Sequence, residues 1–98
     1  MRNITKISEI TYKDVADYIR LEELDTDDIN TLKTELAVAR AFISGYTGLT
    51  DLDEYADLVI VVLILCQDMW DNRTLNIDKS NVSFVVTSIL NLHTTNLL

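Results

Sequence analysis

The sequence predicts an all-α protein: a single small domain of about four helices packed around a central hydrophobic helix at about residues 53–71. The chain has 98 residues with no proline and 2 glycines, fewer turn residues than a β-rich fold of this size needs. In addition, nine consecutive apolar residues occupy positions 58–66. A chain of 98 residues suits one domain, spanning 1–98, and leaves no room for a second.

The apolar run favours a helix over a strand because helix signals flank it. Asp51 can cap the start, and Asp51 with Glu54 forms the D-x-x-E pattern of a capping box. A membrane span needs about 20 apolar residues, and Asp57 and Asp68 bracket fewer. Arg73, just past the helix, is expected to satisfy its last carbonyls or to pair with a carboxylate. The buried residues of this soluble core helix are predicted to include Leu58, Val59, Val62, Leu65, Cys66 and Met69.

The first helix is predicted to follow an N-terminal arm. Residues 1–10 are mixed in character and lack a cap, so we interpret them as the arm. Thr11 is then the predicted N-cap, with Asp14 at the third helical position. Ile10 and Val15 are placed to form a hydrophobic staple across this start.

A second helix is predicted at about 26–44, stopping at Gly45 or shortly after, with Asp25 as N-cap and Gly48 closing the turn. Its acidic start is not a calcium loop. Counted from Asp25, an EF-hand needs Gly sixth and Glu twelfth, and the chain has Asn30 and Leu36 there. The core face at helical spacing is predicted to contain Ile29, Leu32, Leu36, Ala39 and Ile43.

The second helix also carries a second apolar patch, formed by Val38, Ala41 and Phe42, away from its core face. A small monomer has little reason to expose such a patch. These three residues therefore contact either another element of the fold or another subunit. The second alternative makes them a candidate subunit interface.

The last helix is predicted to begin at Asp78 or Ser80, after a loop at 72–77. The β-branched residues of this region also suit a strand, and the helical spacing decides in favour of a helix. Residues 94–98 form an uncapped C-terminal tail. The predicted inner face contains Val82, Val85, Val86, Ile89 and His93.

No catalytic, cofactor or metal site emerges from the residues, and we expect a protein that is not an enzyme. Cys66 lies in the apolar run and is interpreted as an inert core thiol. His93 has no cysteine or second histidine at ligand spacing. The two glycines follow a helix instead of preceding one, so they form no phosphate-binding loop. Trp70 and Tyr55 are interpreted as core or interface aromatics.

The charge balance argues against a nucleic-acid-binding face. The chain has 16 acidic and 8 basic residues, for a net charge of −8, whereas affinity for nucleic acid depends largely on Lys and Arg. An acidic composition usually serves only to keep a protein soluble. The alternative is a specific role, in which the negative charge repels DNA that must pass without binding. A single cysteine and no charged-then-apolar leader indicate a cytoplasmic setting.

Three segments, in the order observed, carry a family resemblance. They are Asp14-Val15-Ala16-Asp17-Tyr18-Ile19-Arg20-Leu21 followed by an acidic turn, Ala39 through Tyr46-Thr47-Gly48, and Met69-Trp70-Asp71-Asn72-Arg73. Together they resemble the head-tail connector proteins, or DNA-packaging adaptors, of long-tailed bacteriophages, over residues 11–92. In that family an aromatic residue, commonly Tyr, precedes the acid-Asn-Arg triplet, and here it is Trp70. The Pro that often opens the family's central helix has no counterpart here.

The resemblance implies a structural assembly protein without catalytic residues or cofactors. Its copies would form a homo-oligomeric ring between the phage portal protein and the tail-completion proteins, in the neck of the virion, after assembly in the host cytoplasm. The free subunit could be a monomer in solution. DNA would pass through the ring without sequence-specific binding, and no membrane is involved. Subunit contacts and DNA passage would then explain the surplus apolar surface and the acidity together.

The alternative function is a small acidic inhibitor, or DNA mimic, that binds a basic cleft of a host protein. Such a protein would place its carboxylates in one continuous stripe. Here they cluster at helix starts, and most precede Leu58. The connector interpretation is therefore preferred.

Overall fold

The structure, a computed structural model, describes residues 3–94, which form four α-helices and three short 3₁₀ turns. No strand occurs within these residues, which confirms the predicted all-α fold. The 3₁₀ turns are Ile7–Glu9, Leu52–Glu54 and Lys79–Asn81. The helices are α1 (Tyr12–Ile19), α2 (Thr26–Thr47), α3 (Leu58–Asn72) and α4 (Phe84–His93).

α3 is the central element, because α1, α2 and α4 all pack against it. All six predicted core residues of this helix are buried, and burial extends to Val61 and Leu63 on other sides of the helix. Only Ile60 of its large apolar residues is substantially exposed, at 37%. Among residues 3–94, no helix is both long enough and apolar enough to cross a membrane.

α3 begins at Leu58, five residues later than about residue 53, where the sequence predicted its start. The Asp51 carboxylate does accept from the Asp53 N–H, but it caps a separate 3₁₀ turn. The Asp53 carboxylate accepts from the backbone N–H of Ser8 at 2.9 Å and from its hydroxyl at 2.6 Å. A contact with a distant segment therefore holds this turn apart from the helix, and local capping signals cannot predict such a contact.

The predicted caps of α1 and α2 are confirmed. The Asp14 carboxylate accepts from the Thr11 N–H at 2.8 Å, and the two residues form a capping box. Asp25 accepts from the Asp28 N–H at 2.8 Å and forms a second box. α2 continues to Thr47 and ends at Gly48, whose φ of 74° lies in the left-handed region that glycine tolerates best.

The N-terminal segment packs onto the domain instead of extending from it as an arm. Ile7 and Ile10 are buried in the core. Nη2 of Arg40, on α2, donates to the backbone oxygen of Ile7 at 2.9 Å and to that of Ile10 at 2.8 Å. The predicted staple with Val15 indicated that Ile10 contacts the domain, but two isoleucines are too few to show a periodicity, so the burial of Ile7 was not predicted. Residues 1–2 of the predicted arm lie outside the described residues.

α4 begins at Phe84 and not at Asp78 or Ser80, as the sequence predicted. The Asp78 carboxylate accepts from the N–H and hydroxyl of Ser80, at 3.0 and 2.7 Å, within a separate 3₁₀ turn. Ser83 caps the helix instead, with its hydroxyl accepting from the Val86 N–H. The predicted tail at 94–98 lies outside the described residues except for its first residue.

The inner face of α4 differs in part from the predicted one. Val86 is buried as expected, and Leu90, which was not predicted, is buried beside it. Val85 points outward and is 55% exposed. The prediction placed both adjacent valines on the inner face, and it is wrong for Val85 and incomplete for Leu90.

Candidate functional site

The second apolar patch of α2 is partly covered within the subunit. Val38 and Phe42 are half-buried and pack against the core, whereas Ala41 is exposed. The ring of Phe42 lies 5.9 Å from that of Tyr46, centroid to centroid. The patch is therefore divided between the two alternatives. Val38 and Phe42 contact other parts of the fold, whereas Ala41 and the outer edge of Phe42 stay accessible to another subunit. Their role in a subunit interface stays a prediction.

The Tyr46-Thr47-Gly48 segment ends α2 and fastens α4 to it. The buried Thr47 hydroxyl donates to the Ile43 backbone oxygen at 2.8 Å and accepts from the Leu49 N–H at 3.2 Å. The Tyr46 hydroxyl donates to Oδ1 of Asn91, on α4, at 2.9 Å. These contacts give the segment a structural role in closing the turn and positioning α4.

The Trp70-Asp71-Asn72-Arg73 segment ends α3. Asn72 donates through Nδ2 to the Asp68 backbone oxygen at 2.8 Å, and Asp71 is exposed. Arg73 adopts a left-handed conformation with φ of 54°, and its backbone N–H, not its guanidinium, bonds the last carbonyls of the helix. The guanidinium is exposed and makes no ion pair within residues 3–94. The expectation that the Arg73 side chain satisfies these carbonyls or pairs with a carboxylate is therefore wrong.

The outer face of α4 carries three of the five large apolar residues that are exposed in residues 3–94. Phe84 is 85% exposed, Val85 55% and Leu92 78%. At 3.6 residues per turn these three residues fall within about 100° of one another around the helix, so they form one stripe. The sequence analysis did not identify this stripe, because it placed Val85 on the inner face of the helix.

Cys66 and His93 lie in different surroundings: Cys66 is buried in the core, whereas His93 pairs with a carboxylate. Burial, followed by the charge of Glu35, raises the pKa of the Cys66 thiol to about 12, which keeps the thiol protonated. Nε2 of His93 lies 2.7 Å from Oδ2 of Asp57, and its ring lies 4.5 Å from that of Tyr55. Within residues 3–94, no three His, Cys, Asp or Glu side chains are grouped so that they could hold a metal ion.

Glu35 is a buried carboxyl group that the sequence analysis did not single out. It lies on α2 at the edge of the core face and is 1% exposed. Its Oε1 is buried without a hydrogen-bond partner among the described residues. Burial raises the pKa of Glu35 to about 7, because desolvation penalises the charged form. The signal in the sequence was a lone acidic residue beside Leu36 on an otherwise apolar face.

A cavity of about 400 Å³ lies beside Glu35, between the first half of α2 and the end of α3. Its lining consists of Asp28, Thr31, Glu35, Trp70, Arg73, Thr74 and Leu75. A second cavity, of about 540 Å³, lies between α3 and the 3₁₀ turn that precedes α4. Asp78 lines that second cavity, but its carboxylate is already held by Ser80 and Asn81.

Comparison of the chain with protein-family models, with curated proteins and with solved structures finds no match. Function is therefore argued from two features of this chain. One is the apolar outer face of α4, formed by Phe84, Val85 and Leu92. The other is the cavity that contains the Glu35 carboxyl group.

Proposed function

We propose that this chain is a structural assembly protein, a subunit of a ring of the head-tail connector type that joins a phage portal to the tail and lets DNA pass. The observation that carries the proposal is the exposed apolar face of α4, where Phe84 is 85% exposed. Apolar stripes of this kind on small proteins generally mark contacts with another molecule. A ring subunit has such contacts with both of its neighbours.

A closed ring sets one surface of each subunit against a different surface of the next. The α4 face supplies one of these surfaces, and the exposed side of α2 around Ala41 and Phe42 supplies the other. The N-terminal segment is a poorer second surface, because Ile7 and Ile10 are already buried within their own subunit. The net charge of −8 further suits a channel that DNA passes without adhering.

Free subunits need not associate for this proposal to hold. Small contacts offset the entropy of association only when many form together or when a template holds the subunits close. The test therefore measures mass in solution at rising concentration, with and without portal rings encoded by the same genome. We expect the wild-type chain to form a ring on the portal.

Phe84→Asp and Ala41→Glu should each abolish this ring while the helical circular dichroism and the melting transition stay as in the wild type. Ala41 is a better site for the charge than the half-buried Phe42, since Phe42→Glu would also disturb the core. Leu75→Asp is the matched control, because Leu75 is an exposed apolar residue, 52% exposed, that lies in a loop outside both faces. Normal ring assembly by Phe84→Asp, or no binding of the wild type to the portal, would refute the proposal.

A further inference from the structure

The cavity beside Glu35 is lined by charged, polar and aromatic residues, as ligand-binding sites commonly are. Its lining includes the acidic residues Asp28 and Glu35 together with Thr31 and Trp70. Its volume of about 400 Å³ lies within the range of roughly 300–1,000 Å³ that is usual for small-ligand sites. Polar groups and an aromatic ring therefore converge on a space large enough for a ligand group.

The Glu35 carboxyl group is the least satisfied polar group of this wall. It is 1% exposed, and its Oε1 has no hydrogen-bond partner within residues 3–94. A buried oxygen without a donor is unfavourable, and native proteins rarely retain one unless a ligand or a water molecule supplies the missing hydrogen bond. Glu35 lines the cavity, so a donor bound there can supply a hydrogen bond to its carboxyl group.

The charges around the cavity determine which kind of donor fits. Asp28 and Glu35 contribute two carboxyl groups, and Arg73 contributes one guanidinium. Arg73 is exposed and forms no ion pair with either carboxyl group. Two acidic groups, one of them buried, outweigh one solvated cation at the rim, so the interior favours a positively charged donor.

We propose that this cavity binds a monovalent organic cation: an ammonium or guanidinium group on an alkyl stem, as a lysine or arginine side chain carries it. The cationic head donates to the carboxylate of Glu35 and is attracted by the charge of Asp28, whose carboxylate also accepts from the Asp25 N–H at 3.3 Å. The stem lies against the indole of Trp70, which also attracts cations through its ring. This site is distinct from the outer faces of α2 and α4 and does not depend on ring formation.

The titration of Glu35 supplies a linked property of the same site. The titratable and charged groups near it are Asp28 and Arg73 in the cavity wall, Cys66 on α3, and Arg40, whose charge also reaches Cys66. With its pKa at about 7, an empty site holds Glu35 partly protonated near neutral pH. A cation favours the ionised carboxylate, so its binding lowers this pKa and releases a proton.

The experiment titrates the purified full chain with N-butylguanidinium at a pH above 7 and follows the fluorescence of Trp70. The chain has 1 tryptophan, so the emission reports on the cavity wall alone. N-butylurea, a neutral molecule of nearly the same shape, is the matched ligand control. An arginine-containing peptide with blocked ends shows whether the site also accepts the group from a protein. If the peptide binds, the natural ligand is a side chain of another protein. If N-butylguanidinium binds and the peptide does not, the natural ligand is a free small cation. Both results support the proposal.

Variants assign the effect to the cavity. Glu35→Gln keeps the shape of the side chain and removes its charge, and we expect it to weaken N-butylguanidinium binding roughly tenfold or more. Asp27→Asn removes the same charge one residue before Asp28 but outside the cavity, and it should leave the affinity unchanged. Arg73→Ala removes the competing cation and should preserve or increase the affinity.

Three results would overturn the proposal. The first is the absence of N-butylguanidinium binding, or equal binding of N-butylurea. The second is an unchanged affinity in a folded Glu35→Gln variant. The third is loss of binding in Arg73→Ala, which would mean that Arg73 and not Glu35 determines the charge of the ligand.

Discussion

Replacing Glu35 by Gln should stabilise the protein above neutral pH and have little effect in acid. Glu35 is 1% exposed, so in the folded chain its ionised form has little access to water. Burial raises its pKa from 4.5 to about 7. Each unit of pKa corresponds to about 1.36 kcal/mol, so this difference amounts to about 3 kcal/mol of folding free energy.

The sign follows from the number of protons bound. Between pH 4.5 and about 7 the folded chain holds a proton on Glu35 that the unfolded chain has released. The protonated carboxyl group therefore contributes its full stabilisation below the unfolded-state pKa of 4.5. This stabilisation is lost as the pH rises through the folded-state pKa of about 7. Glu35→Gln is neutral at every pH, so its advantage over the wild type grows from near zero to about 3 kcal/mol across this window.

Urea unfolding at about pH 5 and about pH 8, followed by circular dichroism and Trp70 fluorescence, measures the effect. Glu23→Gln is the matched control, because Glu23 is exposed and should show no difference at either pH. A Glu35→Gln variant that is no more stable than the wild type at the higher pH would show that Glu35 is not desolvated as described. It would also show that the cavity carries no unpaired charge in the absence of a ligand.

The remaining predictions concern α3 and the end of α2. Leu65→Asp buries an unpaired charge at a position that is 1% exposed, and it should abolish the cooperative melting transition; a wild-type transition would mean that α3 is not the core helix. Gly45→Ala should raise the unfolding free energy by about 0.5–1 kcal/mol, since Gly45 is helical and an added Cβ meets nothing within 4 Å. Gly48→Ala should lower it by about 1–2 kcal/mol, because φ is 74° there. Denaturant titration of the two variants side by side would contradict this account if both shifts had the same sign.

Elements whose signals are local could be predicted from the sequence. The caps at Thr11 and Asp25 each have an acidic partner three residues later, and both form as expected. The nine-residue apolar run of α3 requires cover on every side, and the fold supplies it except at Ile60, which is 37% exposed. The end of α2 depends on Gly48, a residue whose conformational freedom is visible in the sequence.

Features that depend on distant contacts could not be predicted. The start of α3 moved because Ser8 binds the carboxylate of Asp53, and the two residues are 45 positions apart. Both Val85 and Val86 were predicted to face inward, but the rotation of α4 against the core buries only Val86, and a short apolar helix does not encode that rotation. The burial of Glu35 could not be predicted, because it depends on how α2 packs against α3.

The packing of the N-terminal segment has a consequence for the synthesis of the protein. Ile7 and Ile10 are buried in the core, where Arg40 donates to the backbone oxygens of both and Ser8 donates to Asp53. The sequence separations are 33 residues for Ile7 to Arg40 and 45 for Ser8 to Asp53, so the partners leave the ribosome well after the segment itself. On the growing chain the two isoleucines therefore stay uncovered while α2 and the turn before α3 are made. Transiently exposed apolar surface of this kind is where holding chaperones bind a growing chain.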